Sequence, residues 1–220
     1  MDYIDLKRLV RQGENSKLEF KLKANHPEKI VREAVAFANS EGGTLLIGVN
    51  DDKIIKGLKF AGEDEYVLTR ALQNHCSPQI KYELKKVSVE SEREVLVFHI
   101  PKSDRVHYFV PVEKQRKGRA YIRIEDKSVQ ASSEMYQIML AKKRKKDVKF
   151  RYGDKERMLM QYLQIHNQIT VEEFSKTAKI PRWLASRTLV LMVLARVLQI
   201  IPNEVEDTFE FLEYEDEVVN

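Results

Sequence analysis

Three carboxylates have side chains and spacing that could do chemistry: Glu14, Glu19 and Asp51. Glu14 and Glu19 stand five apart, an odd spacing that would put them on opposite faces of one continuous strand. They converge only if Glu14 lies in a turn after Gly13, ahead of the strand that holds Glu19. Asp51 follows the apolar run Thr44 to Val49, at the C-terminal end of a strand expected to be buried on both faces. Carboxylates gathered at strand ends suit a hard, oxygen-seeking cation such as magnesium or manganese. Such a cation stabilises in-line displacement at a phosphate. Asp52 is the adjacent substitute. The plainer reading is an acid ahead of a strand and a solvated Asp-Asp turn.

A second group is basic. Lys21, Lys23, Lys53, Lys56, Arg119 and Arg123 are candidates for phosphate contacts. Tyr108 and Phe109 interleave with Lys102, Arg105 and Lys114, which suits base stacking beside a basic surface. The pair reads more simply as a strand that fills the core.

These residues need elements to position them. Asp2 to Gln12 predicts an amphipathic helix stopped by Gly13. Leu18, Phe20 and Leu22 predict a strand with its core face on those positions and Glu19, Lys21 and Lys23 facing outward. A helix starts near Pro27 and buries Ile30, Ala34, Phe37 and Ala38; Gly42-Gly43 ends it. After the strand Thr44 to Val49, Asn50-Asp51-Asp52 turns the chain into a further strand at Ile54-Ile55. Gly62 to Cys76 predicts a helix with Val67, Ala71 and Leu72 inward. Ile80 to Val89 and Glu94 to Ile100 predict a hairpin closed by Glu90-Ser91-Glu92-Arg93. Arg119 to Ile124 is another strand, and Ser132-Ser133 starts a helix.

The segments GENSKLEFK, AFANSEGG, TLLIGVNDD and IIKG, in that order, with YIRIEDKSVQAS later, resemble the Alba-like domain of the Schlafen family. The resemblance implies an α+β fold, an Alba/Schlafen-like mixed sheet with packed helices. It implies nucleic-acid binding and, in Schlafens, metal-dependent cleavage of structured RNA. Glu14 and Glu19 match that family's two glutamates, and Asp51 matches its aspartate. Schlafens grip RNA with a duplicated domain; one copy is present here, so a homodimer would supply the second. The family has also been labelled a divergent ATP-binding domain, but this sequence has no GxxxxGKS or GxxxxGKT phosphate loop.

Lys142 to Arg151 is a sharp basic shift and marks a boundary. The expected domains are 1–147 and 154–220, with a linker at 148–153. In the second, Asp154 starts a helix. Thr170-Val171-Glu172-Glu173 forms a capping box for a short helix. A third helix runs from Pro181 to about Leu198, and Ile200-Ile201 and Thr208 to Tyr214 are strands. That is the order of a small winged helix-turn-helix-like domain. Leu189 to Leu194 is apolar without interruption, and residues 201–220 carry eight acids and no Lys or Arg. The Trp183 to Leu198 helix is therefore expected to dock or dimerise rather than read DNA.

Composition frames these readings. Residues 1–151 hold 31 Lys and Arg against 22 Asp and Glu; residues 152–220 hold 7 against 12. The basic excess of the first part points to a polyanion. One cysteine, Cys76, allows no internal disulfide and suggests a reducing compartment. The five histidines show no zinc-like spacing. The N-terminus lacks the apolar core of a signal peptide, and no run is long enough to span a membrane. The expectation is a cytoplasmic nucleic-acid-binding protein, a DNA-binding transcriptional regulator, with no cofactor. The alternatives are an endoribonuclease using magnesium or manganese, and a protein-interaction scaffold.

Overall fold

A computed structural model of the chain describes residues 1–89, 92–111, 118–144 and 151–212. It divides into two compact units, Met1–Gln130 and Ala131–Asn220.

In the first unit, α1 (Tyr3–Gln12) is followed by β1 (Leu18–Lys21), α2 (Pro27–Asn39), β2 (Gly43–Ile47) and α3 (Ala61–His75). Then come β3 (Cys76–Ser77), β4 (Glu83–Val89), β5 (Arg93–Ile100), β6 (Tyr108–Phe109), β7 (Tyr121–Ile124) and β8 (Lys127–Gln130). A mixed four-stranded sheet has the order β1-β2-β5-β4. β1 runs parallel to β2, with Leu18 opposite Thr44 and Lys21 opposite Ile47. β2 with β5, and β4 with β5, are antiparallel.

α1 begins as its sequence requires. Asp2 and Asp5 form a reciprocal capping box, and Gly13 caps the other end at φ 78°. Both faces of the sheet are covered. Leu6 and Val10 of α1 pack with Leu18, Phe20, Leu46, Val95 and Val97 on one face. On the other, α2 and α3 pack with Leu45, Ile47, Leu96, Phe98 and Ile100. α2 is buried on most sides for this reason: Ile30, Val31 and the run Ala34 to Asn39 are all buried.

Four local expectations are corrected. Glu19 is buried rather than outward, because the α2 face of β1 is covered too. Leu22 lies beyond β1 and is exposed, as is Val67 on α3. Ile54-Ile55 forms no strand; Ile55 makes only an isolated bridge to Val49. The hairpin of β4 and β5 forms as expected, with residues 90 and 91 outside the described part.

The second unit contains α4 (Ser133–Arg144), α5 (Asp154–His166), β9 (Gln168–Ile169), α6 (Val171–Thr177), α7 (Arg182–Leu194), β10 (Leu198–Ile201) and β11 (Thr208–Phe211). The capping box at Thr170 is present: its hydroxyl accepts from the Glu173 amide at 3.2 Å, and Glu173 accepts from the Thr170 amide at 2.8 Å. β9 joins β10 and β11 in a three-stranded sheet of order β10-β11-β9. β9 was not foreseen, since two residues carry no readable period. The division falls before α4, rather than at 148–153, because α4 packs on α7. Ser186 of α7 donates to Glu134 of α4 at 2.5 Å. Residues 145–150 of the basic run, and 213–220 of the acidic tail, lie outside the described residues.

Candidate functional site

β1 and the turn before it set the acids. Gly13 turns the chain so that Glu14 precedes the strand, and Asn15 bridges to Leu18. Glu14 Oε1 accepts from the Phe20 amide at 2.7 Å. Burial pushes the Glu14 carboxyl above its ordinary range; the Phe20 hydrogen bond opposes this, and the charges of Glu19 and Asp51 add to it. Glu14 thus lies within electrostatic reach of both Glu19 and Asp51. Asp51 is exposed in the turn after β2, as is Asp52.

Glu19 is committed elsewhere. One carboxylate oxygen pairs with Lys21 Nζ, and the other accepts from Arg123 Nη1 at 3.0 Å. Arg123, on β7, has a side chain only 1% exposed. Its Nη1 also donates to Glu33 Oε2 at 2.7 Å and to Ser128 Oγ at 3.1 Å, and its Nη2 to the Asn15 carbonyl at 2.9 Å. The guanidinium lies over the Phe37 ring, 4.8 Å from its centroid. Burial pushes the Glu33 carboxyl up, the Glu19 charge adds to this, and Ser128 and Arg123 oppose it. Arg123 was expected to contact phosphate. It is instead an internal clamp that ties β7 to β1 and α2, because two carboxylates on the covered face need a buried cation.

A divalent cation needs several free carboxylate oxygens converging on one point. Both Glu19 oxygens face protein cations, and one Glu14 oxygen faces an amide. Among the described residues, no three His, Cys, Asp or Glu side chains gather as a metal site. As arranged, Glu14, Glu19 and Asp51 do not fit a magnesium or manganese ion.

The basic candidates separate. Lys21 is half-buried and bonded to Glu19 and to the Phe20 carbonyl at 2.9 Å. Lys23, Lys53, Lys56 and Arg119 are exposed. Phe109 is buried, stacks on His75 at 5.9 Å and meets the Tyr121 ring edge-on at 6.4 Å. The core reading of Tyr108-Phe109 therefore holds for Phe109. Lys114 lies outside the described residues.

The AFANSEGG segment is explained by packing. Asn39 Nδ2 donates to the carbonyls of His107 and Tyr121, both at 2.9 Å, and Asn39 Oδ1 accepts from the His107 amide at 2.8 Å. Ser40 Oγ accepts from the Arg123 amide at 2.9 Å. Gly43 lies under Phe37, where an added Cβ would stand 2.2 Å from the ring. Sequence reasoning missed Glu33, Asn39 and Ser128. The partners of Glu33 and Asn39 are 68 to 95 positions away, and Ser128 reaches Glu33 across the same distance besides meeting Arg123 five positions back, so local spacing does not reveal the network. The signal was the lone arginine within the strand YIRI.

No curated protein matches the chain. Among solved structures, it is similar to the N-terminal domain of a putative ATP-dependent DNA helicase RecG-related protein from Nitrosomonas europaea. That match has 22% identity and a TM-score of 0.37, over 44% of this chain and 71% of that one. It is also similar to the DIP2311 protein from Corynebacterium diphtheriae, with 14% identity and a TM-score of 0.41, over 63% of this chain and 31% of that one. The sequence profile described as Schlafen, AlbA_2 matches residues 14–132, a span that holds the acids, the clamp and the sheet, and the chain belongs to that family.

Proposed function

We propose that the chain is a nucleic-acid-binding protein, a DNA-binding transcriptional regulator of the cytoplasm, whose first unit contacts phosphates. One observation carries this reading. Lys23, Lys53, Lys56 and Arg119 are exposed and make no ion pair among the described residues, in a chain of the Schlafen, AlbA_2 family. Exposed cations without protein partners are what a phosphate backbone neutralises on binding. The second unit serves as a winged-helix-like docking element that pairs two copies through α7. Supporting that role, Leu140 of α4 and Val190, Leu191 and Leu194 of α7 line an open apolar groove of about 510 Å³.

The second reading is an endoribonuclease using Glu14, Glu19 and Asp51; the charges of Glu19 and Asp51 both act on Glu14, but a metal would have to displace Lys21 and Arg123 from Glu19. Incubation with tRNA, single-stranded RNA and duplex DNA, with and without manganese, tests both. The reading expects retarded complexes and intact nucleic acid. Manganese-dependent cleavage that Glu19→Gln abolishes favours the nuclease. No complex with any of the three overturns both.

A further inference from the structure

Away from the acids, a cleft of about 490 Å³ opens at the start of α3, lined among others by Lys23, Lys59, Phe60, Glu63, Asp64 and Arg93. Its volume lies within the range of ligand pockets. The walls come from four places: the chain after β1, the segment leading into α3, the first turns of α3, and the start of β5. Phe60 is 60% exposed and caps α3 without any side-chain hydrogen bond. A phenyl ring left in water contributes nothing to the core.

The charges around it are arranged unevenly. Arg93 is held at the cleft by weak donation from Nη1 to the Lys56 carbonyl at 3.3 Å and the Gly57 carbonyl at 3.4 Å. Lys59 Nζ stands 5.4 Å from the Phe60 ring centroid. Lys23 and Lys59 make no ion pair among the described residues. Of the two acids, Asp64 is occupied: its Oδ1 accepts from the Ala24 amide at 2.8 Å, which holds the wall. Three cations against two acids leave the cleft net positive, and the N-terminal end of a helix adds partial positive charge.

We propose that this cleft takes one nucleotide unit of a single-stranded nucleic acid, with the phosphate among Lys23, Lys59 and Arg93 and the base on the Phe60 ring. The proposal rests on the nucleic-acid reading above and specifies its substrate. An exposed aromatic beside a basic groove is how single strands are held without regard to sequence. A duplex cannot use the ring, since its bases are already stacked and only an unpaired base can lie on a side chain.

The test compares a labelled oligothymidylate of about 12 nucleotides with a duplex, by fluorescence anisotropy on the full chain. Phe60→Ala should weaken single-strand binding roughly tenfold and leave duplex binding unchanged. Phe60→Trp should retain single-strand binding, and the new indole should be quenched by the oligonucleotide. If Phe60→Ala binds the single strand as wild type does, or the indole is not quenched, the cleft assignment is wrong and nucleic-acid binding itself stands. If wild type binds neither ligand, the underlying reading fails as well.

Discussion

Replacing Arg123 distinguishes an internal clamp from a ligand contact. Arg123→Ala removes the cation shared by Glu19 and Glu33, and it strips donors from Ser128 and from the Asn15 carbonyl. Removing one partner of a buried pair costs about 3–5 kcal/mol, because the other is left buried and charged. The lost neutral hydrogen bonds act within the same network and do not add in full. The expected loss is about 4 kcal/mol. Arg123→Lys keeps the charge but not the planar fork, and should lose about 2 kcal/mol. Trp183 is the sole tryptophan and lies in the second unit, so its fluorescence does not report on this site. Hydrogen exchange of the β1 and β2 amides does. The pH dependence has a definite sign. Without Arg123, the folded-state pKa of Glu33, which burial already raises, rises further. The variant then binds extra protons when folded, and its stability falls as pH rises from the ordinary carboxylate range. Its deficit against wild type should therefore shrink in acid. A loss below about 1 kcal/mol, together with weakened nucleic-acid binding, would refute the clamp.

Other outcomes follow from the same geometry. Glu14 has a raised pKa when folded, so its contribution to stability is present below the ordinary carboxylate range and lost as pH rises through the raised value. Glu14→Gln keeps an acceptor for the Phe20 amide, and should gain stability over wild type between pH 4 and pH 7.5 in urea titrations; a deficit that grows with pH would count against it. Cys76 is buried and its thiol is pushed up to about 12, so at pH 8 roughly one thiol in ten thousand is ionised. Iodoacetamide should leave it unmodified in the native protein and label it in urea; native labelling at the unfolded rate would contradict its burial. Asn39→Ala strands two carbonyls and one amide, and should cost about 3 kcal/mol in hydrogen exchange of α2. A cost near zero would show that water replaces the side chain.

Much of the frame was legible because it is written in local periods and caps. Gly13, Pro27 and Thr170 each place a helix end with a local physical reason, and the structure has those ends. The apolar run after Gly43 marked β2, and Glu14 lies in the bend after Gly13, which is the condition under which it could approach Glu19. The illegible part was the second face of the sheet. Alternation in LEFK marks Leu18 and Phe20 as core but says nothing about what covers Glu19. A covering strand from 104 positions later supplies the arginine that makes its burial tolerable. Arg123 therefore looked like a surface cation when read alone. The α4 helix was assigned to the first domain for a similar reason: its sequence shows where it starts, but not that Ser186 receives it.

The central claim is that exposed cations of the first unit bind a phosphate backbone, and a salt titration tests it most directly. Duplex DNA affinity is measured by anisotropy across a salt series for wild type and for a variant combining Lys53→Gln, Lys56→Gln and Arg119→Gln; none of these side chains lines the clamp or the cleft, and the Lys56 carbonyl that accepts from Arg93 is kept. The account predicts that log affinity falls linearly with log salt. The slope of the variant should be shallower by roughly 0.9 for each of these cations that meets a phosphate. A wild-type affinity indifferent to salt, or a variant with the wild-type slope, would contradict it.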